Sequence, residues 1–197
     1  GTYNVQVRNT DGTCVTIDAN NPVVLTAPSS PSITNVAFAD PSECSTNDGT
    51  ITVTATGGSG SYDYTIANFA VGVLTNTTGL FTGLPGGSYI VKIRNAADNS
   101  CEVTGQTVVL TDKVQPNVTN VAKTNITDCG VTDGTITITA NSTAGNSLEY
   151  SIDNGATYNT TNIFTGLSAG SYIIKVRNID ETCVVTEPAV TITAPTP

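Results

Sequence analysis

The sequence DGTITVTA at residues 48–55 returns as DGTITITA at 133–140. Other stretches return in the same order: TNVA at 34–37 and 119–122, FTGL at 81–84 and 164–167, Cys44 and Cys129, Cys101 and Cys183. GTYNVQVRN at 1–9 corresponds to GSYIVKIRN at 87–95 and GSYIIKVRN at 170–178, and the copies lie 82 to 86 residues apart. Self-similarity at a fixed period is the signature of a repeat architecture, and each unit must then fold alike. The expected partition is a C-terminal part of a preceding repeat at 1–28 (strands F and G), a complete repeat at 29–114 and a second at 115–197. The opening fragment is expected to be the tail of a repeat whose front half lies elsewhere.

Each complete repeat reads as about seven short strands, from alternation of apolar and polar residues between turn signals. In the first they fall near 32–38 (A), 50–56 (B), 62–67 (C), 71–76 (a weak C′), 79–84 (E), 88–95 (F) and 102–111 (G). In strand B, Ile51, Val53 and Ala55 face a core, while Thr50, Thr52, Thr54 and Thr56 face the other way. GGSG at 57–60 is a B–C turn, and Asn154-Gly155 turns C towards C′ in the second repeat. The Thr- and Val-rich composition, with 18 Gly and scattered Asn-Gly and Asp-Gly pairs, suits strands and turns better than helices. The expected class is all-β.

Leu84, the turn Pro85-Gly86-Gly87-Ser88 and then Tyr89 resemble the tyrosine corner of immunoglobulin-like and fibronectin type III sandwiches. Leu167 to Tyr172 repeats the pattern, and Tyr3 is its remnant. Tyr3, Tyr89 and Tyr172 are therefore the candidate corner residues of tandem immunoglobulin-like (fibronectin type III-like) β-sandwich repeats. So small a core would gain from a covalent staple.

Taken together, Cys44, DGTITV at 48–53, Gly57-Gly58, SYDYTI at 61–66, LPGGSYIVKIRN at 84–95 and Cys101 resemble the SprB-type repeat. So do Cys129, DGTITI at 133–138, LEYSIDNG at 148–155, LSAGSYIIKVRN at 167–178 and Cys183. The second copy departs from the pattern at NSTAGNS (141–147), where a Gly-Gly turn is expected. Such repeats occur in very large surface proteins of gliding Bacteroidetes exported by the type IX system. The resemblance implies an extracellular, cell-surface adhesin stalk.

The five cysteines, with no His and no C-x-x-C, fit disulfides better than zinc. Pairing within repeats would join Cys44 to Cys101 and Cys129 to Cys183, leaving Cys14 over. However, Cys44 precedes strand B and Cys101 follows strand F, which runs the same way. That separates them by on the order of 25 Å, against the roughly 7 Å between Cα atoms that a disulfide tolerates. Modules placed end to end would instead bring Cys44 to Cys183. Cys14 and Cys101 would then pair upstream and Cys129 downstream. This cross-repeat staple is the favoured expectation; pairing within repeats stays open if strand C′ does not cross the sheet.

A net charge of −9 argues against nucleic acid or an anionic membrane as partner. No apolar run reaches the roughly 18 residues of a membrane-spanning helix, so membrane insertion is not expected. Without His, Ser-His-Asp and Cys-His catalysis cannot be assembled. No enzyme and no cofactor are expected. Asp48 and Asp133 read as turn residues bonding local backbone. Calcium at Asp40, Glu43, Asp48, Asp128 or Asp133 is the minor alternative, unsupported by any D-x-D-x-D-G loop. Ice binding by the Thr stripes (50–56; Thr135, Thr137, Thr139) is set aside, because one strand per repeat is little flat surface. Sugar binding usually needs exposed aromatic platforms; Trp is absent, and the Tyr mostly sit at strand positions that look buried. Sequons begin at Asn76, Asn117, Asn125, Asn141 and Asn159, a number that chance supplies in so Thr- and Asn-rich a chain.

The expected function is that of structural stalk repeats in a large adhesin or surface filament, holding a binding tip off the cell and transmitting force in gliding or attachment. The Pro-containing linkers Pro28-Ser-Ser-Pro31 and Lys113-Val-Gln-Pro116 suit semi-rigid spacing. The expected partners are neighbouring repeats of the same chain. The alternative function is that the repeats themselves bind a ligand such as surface polysaccharide.

Overall fold

A computed structural model describes residues 1–142 and 145–196. Among these residues every helix or strand element is a strand. The chain forms two compact units. One comprises Gly1–Ala37, Thr52–Leu80 and Tyr89–Thr107; the other comprises Phe38–Ile51, Phe81–Ser88 and the chain from Val108 onward.

The first unit begins with two small antiparallel ladders. β1 (Thr2–Tyr3) pairs with β4 (Val23–Val24), and β2 (Gln6–Val7) with β3 (Thr16–Ile17). Tyr3, Val7, Ile17 and Val24 in these ladders are exposed, and Val23 is half-buried. Along the chain then come β5 (Pro31–Ala39), β6 (Gly49–Gly57), β7 (Tyr62–Asn68), β8 (Gly72–Asn76), β9 (Leu80–Leu84), β10 (Gly87–Asn95) and β11 (Val103–Leu110), of which residues 38–39, 49–51, 81–84, 87–88 and 108–110 belong to the second unit. They correspond one for one to the expected strands A to G, within two residues at each end. The sheets run β5-β6-β9 and β11-β10-β7-β8, an all-β, immunoglobulin- and fibronectin-like sandwich order. Alternation sets which faces are buried: Val53, Tyr64, Ile66, Tyr89, Val91 and Ile93 are inside.

The second unit holds the later strands: β12 (Asn117–Thr124), β13 (Gly134–Asn141), β14 (Leu148–Ser151), β15 (Ile163–Leu167), β16 (Gly170–Tyr172), β17 (Lys175–Asn178), β18 (Val185–Thr186) and β19 (Val190–Ile192). Sheets β12-β13-β15 and β14-β17-β18 repeat the earlier order, and β16 pairs with β19. Ile126, Ile136, Ile138, Leu148, Tyr150, Ile174, Val176 and Ile192 make one buried cluster.

Two differences from expectation have local causes. Strands F and G of this repeat are each broken in two, and Pro188, which has no N–H to give a ladder, lies between β18 and β19. The C′ strand is reduced to a single bridge, Tyr150 with Asn159. The chain turns at Asn154 and Gly155, both left-handed (φ 64° and 86°). There Asp153 accepts the Thr157 N–H and hydroxyl and the Ser151 hydroxyl, holding a compact knot in place of a hairpin. Thr143 and Ala144, within the NSTAGNS turn and the Asn141 sequon, lie outside the described residues.

Several threonines, Thr54 and Thr135 of the stripes among them, pair across strands. Thr34 and Thr54 hydroxyls lie 3.1 Å apart, Thr65 and Thr75 3.0 Å, Thr124 and Thr135 2.8 Å. Such pairs are a usual unit of sheet stabilisation.

Candidate functional site: a clasp between two cysteine loops

The chemistry of this chain concentrates in two kinds of loop, each built by short-range hydrogen bonds. The first kind joins strands A and B and occurs at 40–48 and 125–133. In one copy Asp48 accepts the Ser42 N–H (2.8 Å) and hydroxyl (2.5 Å). In the other, Asp133 accepts the Thr127 N–H (3.0 Å) and hydroxyl (2.6 Å). These donors favour the charged carboxylate, so Asp48 and Asp133 both sit below the usual carboxylate range. The next residue must be glycine: a Cβ on Gly49 would fall 2.7 Å from the Leu84 carbonyl oxygen, and one on Gly134 2.9 Å from that of Leu167. The Asp-Gly pair of the repeated octapeptide therefore closes the loop and admits the strand.

The second kind of loop joins F to G and ends in Asp-x-Ser/Thr-Cys, three times over. Asp11, Asp98 and Asp180 each accept the hydroxyl and N–H of Thr13, Ser100 and Thr182. An Asn at the loop's start closes it: Asn9, Asn95 and Asn178 N–H groups donate to the Thr13, Ser100 and Thr182 carbonyls at 2.9, 3.0 and 3.0 Å. Each loop delivers its cysteine in the left-handed region, with φ of 53° at Cys14, 56° at Cys101 and 61° at Cys183. Sequence reading missed this device, although its signal was the threefold recurrence of Asp two residues before Ser/Thr-Cys.

In the second unit the two loop kinds meet. Cys44 and Cys183 form a disulfide with Cα atoms 5.2 Å apart, closing 139 positions of sequence. Glu43 supports it: its Oε2 accepts the N–H of Cys44 (3.1 Å) and of Cys183 (2.7 Å). Bonds from amides to a carboxylate are among the stronger neutral-donor contacts. Lys113 Nζ contacts Asp180 Oδ2 at 2.5 Å, and Asn178 Nδ2 donates to the Val114 carbonyl at 3.1 Å. Lys113 first, and then the Thr182 hydroxyl, lower the Asp180 carboxyl to about 2. Cys183 is buried. Of the two expected pairings, the cross-repeat one is present, and pairing of Cys44 with Cys101 or of Cys183 with Cys129 is overturned. An F–G cysteine lies too far along its strand to return to the A–B loop of its own repeat.

Cys14, Cys101 and Cys129 are thiols here. Cys101 Sγ lies 3.8 Å from the Pro28 carbonyl oxygen, and Cys129 Sγ lies 3.6 Å from that of Pro195. Of the candidate corner residues, Tyr172 donates its hydroxyl to the Ser168 carbonyl four residues back (2.9 Å), Tyr89 is fully buried and Tyr3 is exposed. Among the described residues no His, Cys, Asp or Glu group has a metal-binding arrangement, and no helix is long and apolar enough to cross a membrane.

Among solved structures, the chain is similar to a 282-residue C-terminal fragment of intimin in complex with the translocated intimin receptor intimin-binding domain. Identity is 16%, the match covers 82% of this chain and 64% of that one, and the TM-score is 0.45. This chain thus spans less than two thirds of that fragment's length. It is also similar to the FN1–FN3 domains of chicken CNTN1 (13% identity, 98% and 77% covered, TM-score 0.40). A third similarity is to the amphioxus IgVJ-C2 molecule (14%, 85% and 98%, 0.31). No curated protein matches significantly. Residues 36–71, from β5 to the turn before β8, match the family model of the SprB repeat.

Proposed function

We propose that the chain is a piece of the stalk of a large extracellular surface adhesin, in which sandwich repeats hold a binding tip away from the cell and transmit force during gliding or attachment. The repeats at 29–114 and 115–197 are its modules, and 1–28 belongs to another. One observation carries the reading: the Cys44–Cys183 bond joins the first sequence repeat to the second. A covalent bond between successive modules adds no chemistry to either, but keeps their succession intact under load. It also suits an oxidising, extracellular compartment. The SprB-repeat match at 36–71 supports a cell-surface adhesin of the type IX-exported kind. The role is non-enzymatic, and Tyr89 and Tyr172 act as tyrosine corners within the modules.

The test is to label intact cells with antibodies raised against the 197-residue chain. Gold particles spaced along surface fibres of unpermeabilised cells are expected. Labelling only after permeabilisation, or only at fibre tips, would overturn the stalk reading.

A second reading has the repeats themselves bind surface polysaccharide. It is favoured by an open groove of about 510 Å³ between residues 32–36 of β5 and 103–106 of β11, lined by Ser32, Thr34, Asn35, Thr104 and Gln106. A glycan array with the bare chain discriminates: reproducible binding, lost in Asn35→Ala, would favour this reading.

A further inference from the structure

The loop at 125–133 repeats the aspartate clamp of the loop at 40–48, the bond from the cysteine N–H to the preceding carboxylate and the backbone bond that follows it. It lacks only the bonds of the Thr46 hydroxyl, because Val131 stands there, yet its cysteine is a thiol. We propose that Asp128 and Cys129 are the receiving half of a second clasp, filled by the Asp-x-Ser/Thr-Cys loop of another repeat of this type. The proposal rests on the stalk reading and deepens it, by naming the partner and the atoms that join.

The argument is the occupied clasp itself. Glu43 precedes Cys44, and its carboxylate accepts two amides: that of Cys44 and that of the incoming Cys183. Asp128 precedes Cys129 in the same way. Its Oδ1 accepts the Cys129 N–H at 2.7 Å, and its Oδ2 has no partner among the described residues. In Glu43 a single oxygen, Oε2, takes both amides; the matching Asp128 Oδ1 holds one amide where Glu43 Oε2 holds two. Residues 127–133 are all exposed, including the thiol of Cys129 and the side chain of Val131, 40% exposed. In the occupied loop Glu43 and Cys44 are half-buried.

The incoming half is also preformed. The thiol-bearing loops at 9–14 and 95–101 already hold the hydrogen bonds and the left-handed cysteine that the bonded loop at 178–183 shows. Little ordering is left to accompany docking. The clasp joins two different loops, so it is heterologous and propagates from repeat to repeat rather than closing into a symmetric pair. Formation converts two thiols and one oxidised glutathione into a protein disulfide and two reduced glutathiones.

The test extends the full chain at its C-terminus with a second copy of residues 115–197, oxidised in a glutathione buffer and mapped without reduction. The expected map contains Cys44–Cys183 and a new peptide joining Cys129 to the Cys183 of the added copy. In the unextended chain, iodoacetamide labels Cys129 fully; in the extended one, labelling falls at least tenfold. The Cys44–Cys183 peptide is the internal control. If it forms while Cys129 stays alkylatable, or Cys129 joins Cys14 or Cys101 of its own chain, the second clasp does not exist, whatever antibody labelling says of the stalk.

Should the extended chain fail to fold, a mixture decides. A C14S/C101S chain, with Cys129 as its free thiol, is oxidised with a C129S chain. Peptides joining Cys129 to Cys14 or Cys101 support the proposal; Cys129–Cys129 pairs, or no Cys129 link, overturn it.

Discussion

The loops at 40–48 and 125–133 share one internal design, but the first is bonded through Cys44 and the second is not. Ser42 with Asp48 and Thr127 with Asp133 keep nearly the same distances in both. The loop's shape therefore comes from its carboxylate clamp and its glycine, and the disulfide is laid over a form that exists without it. What differs is burial: the bonded loop is half-covered, the thiol loop exposed.

The largest expected effect separates the two loops. Replacing both Cys44 and Cys183 by Ser removes a link closing 139 positions, which should cost about 2–5 kcal/mol in urea unfolding. Cys129→Ser should cost almost nothing. An equal loss from both would mean that Cys129 is already engaged.

The next change should treat the loops alike. Gly49→Ala and Gly134→Ala each push a methyl against a carbonyl oxygen, and each should cost about 1–3 kcal/mol. If Gly134→Ala were tolerated while Gly49→Ala was not, the two loops would not share one closure.

Asp133→Asn should lower the melting temperature by less than the glycine change, and Asp48→Asn similarly. Both carboxyls are depressed by their Ser or Thr partners. Their stabilisation is therefore present above the ordinary carboxylate value of 3.8, and it is lost as pH falls below that through the folded values. Wild-type stability should drop in this acid window, and the Asp48→Asn/Asp133→Asn double variant should drop less. Parallel curves would remove the clamps from the comparison.

The smallest effect is at Lys113. Lys113→Met breaks a part-exposed ion pair with Asp180 and should cost under about 1 kcal/mol. In an NMR titration Asp180 should rise from about 2 towards the ordinary carboxylate range. An unmoved Asp180 would assign its depression to Thr182 instead.

The strands of the first repeat were legible because alternation leaves little freedom once one face is buried. Ile51 and Val53 can only point inward, and β6 follows within a residue of its expected span. The second repeat was less legible where a single residue overrides the pattern. Pro188 stands in strand G without an N–H, and Asp153 gathers three donors to curl a turn that sequence alternation reads as a hairpin. Strand direction favoured the Cys44–Cys183 pairing that is present, but pairing within repeats stayed open on the sequence, because the opposite-end argument depends on the course of strand C′. Glu43 was not readable in its bridging role: accepting the amide of Cys183 depends on a contact 140 positions away. Nor does the GTYNVQVRN motif dictate burial, because Tyr3 is exposed where Tyr89 is fully enclosed.

The Cys44–Cys183 bond also decides which part of the backbone feels tension. When the polypeptide is stretched from points on either side of the pair, traction crosses at the sulfurs and skips everything between. The 139 positions so bypassed correspond to about 460–500 Å of contour length. The oxidised chain would keep that slack in reserve behind a covalent shunt, and would yield it only to a reductant.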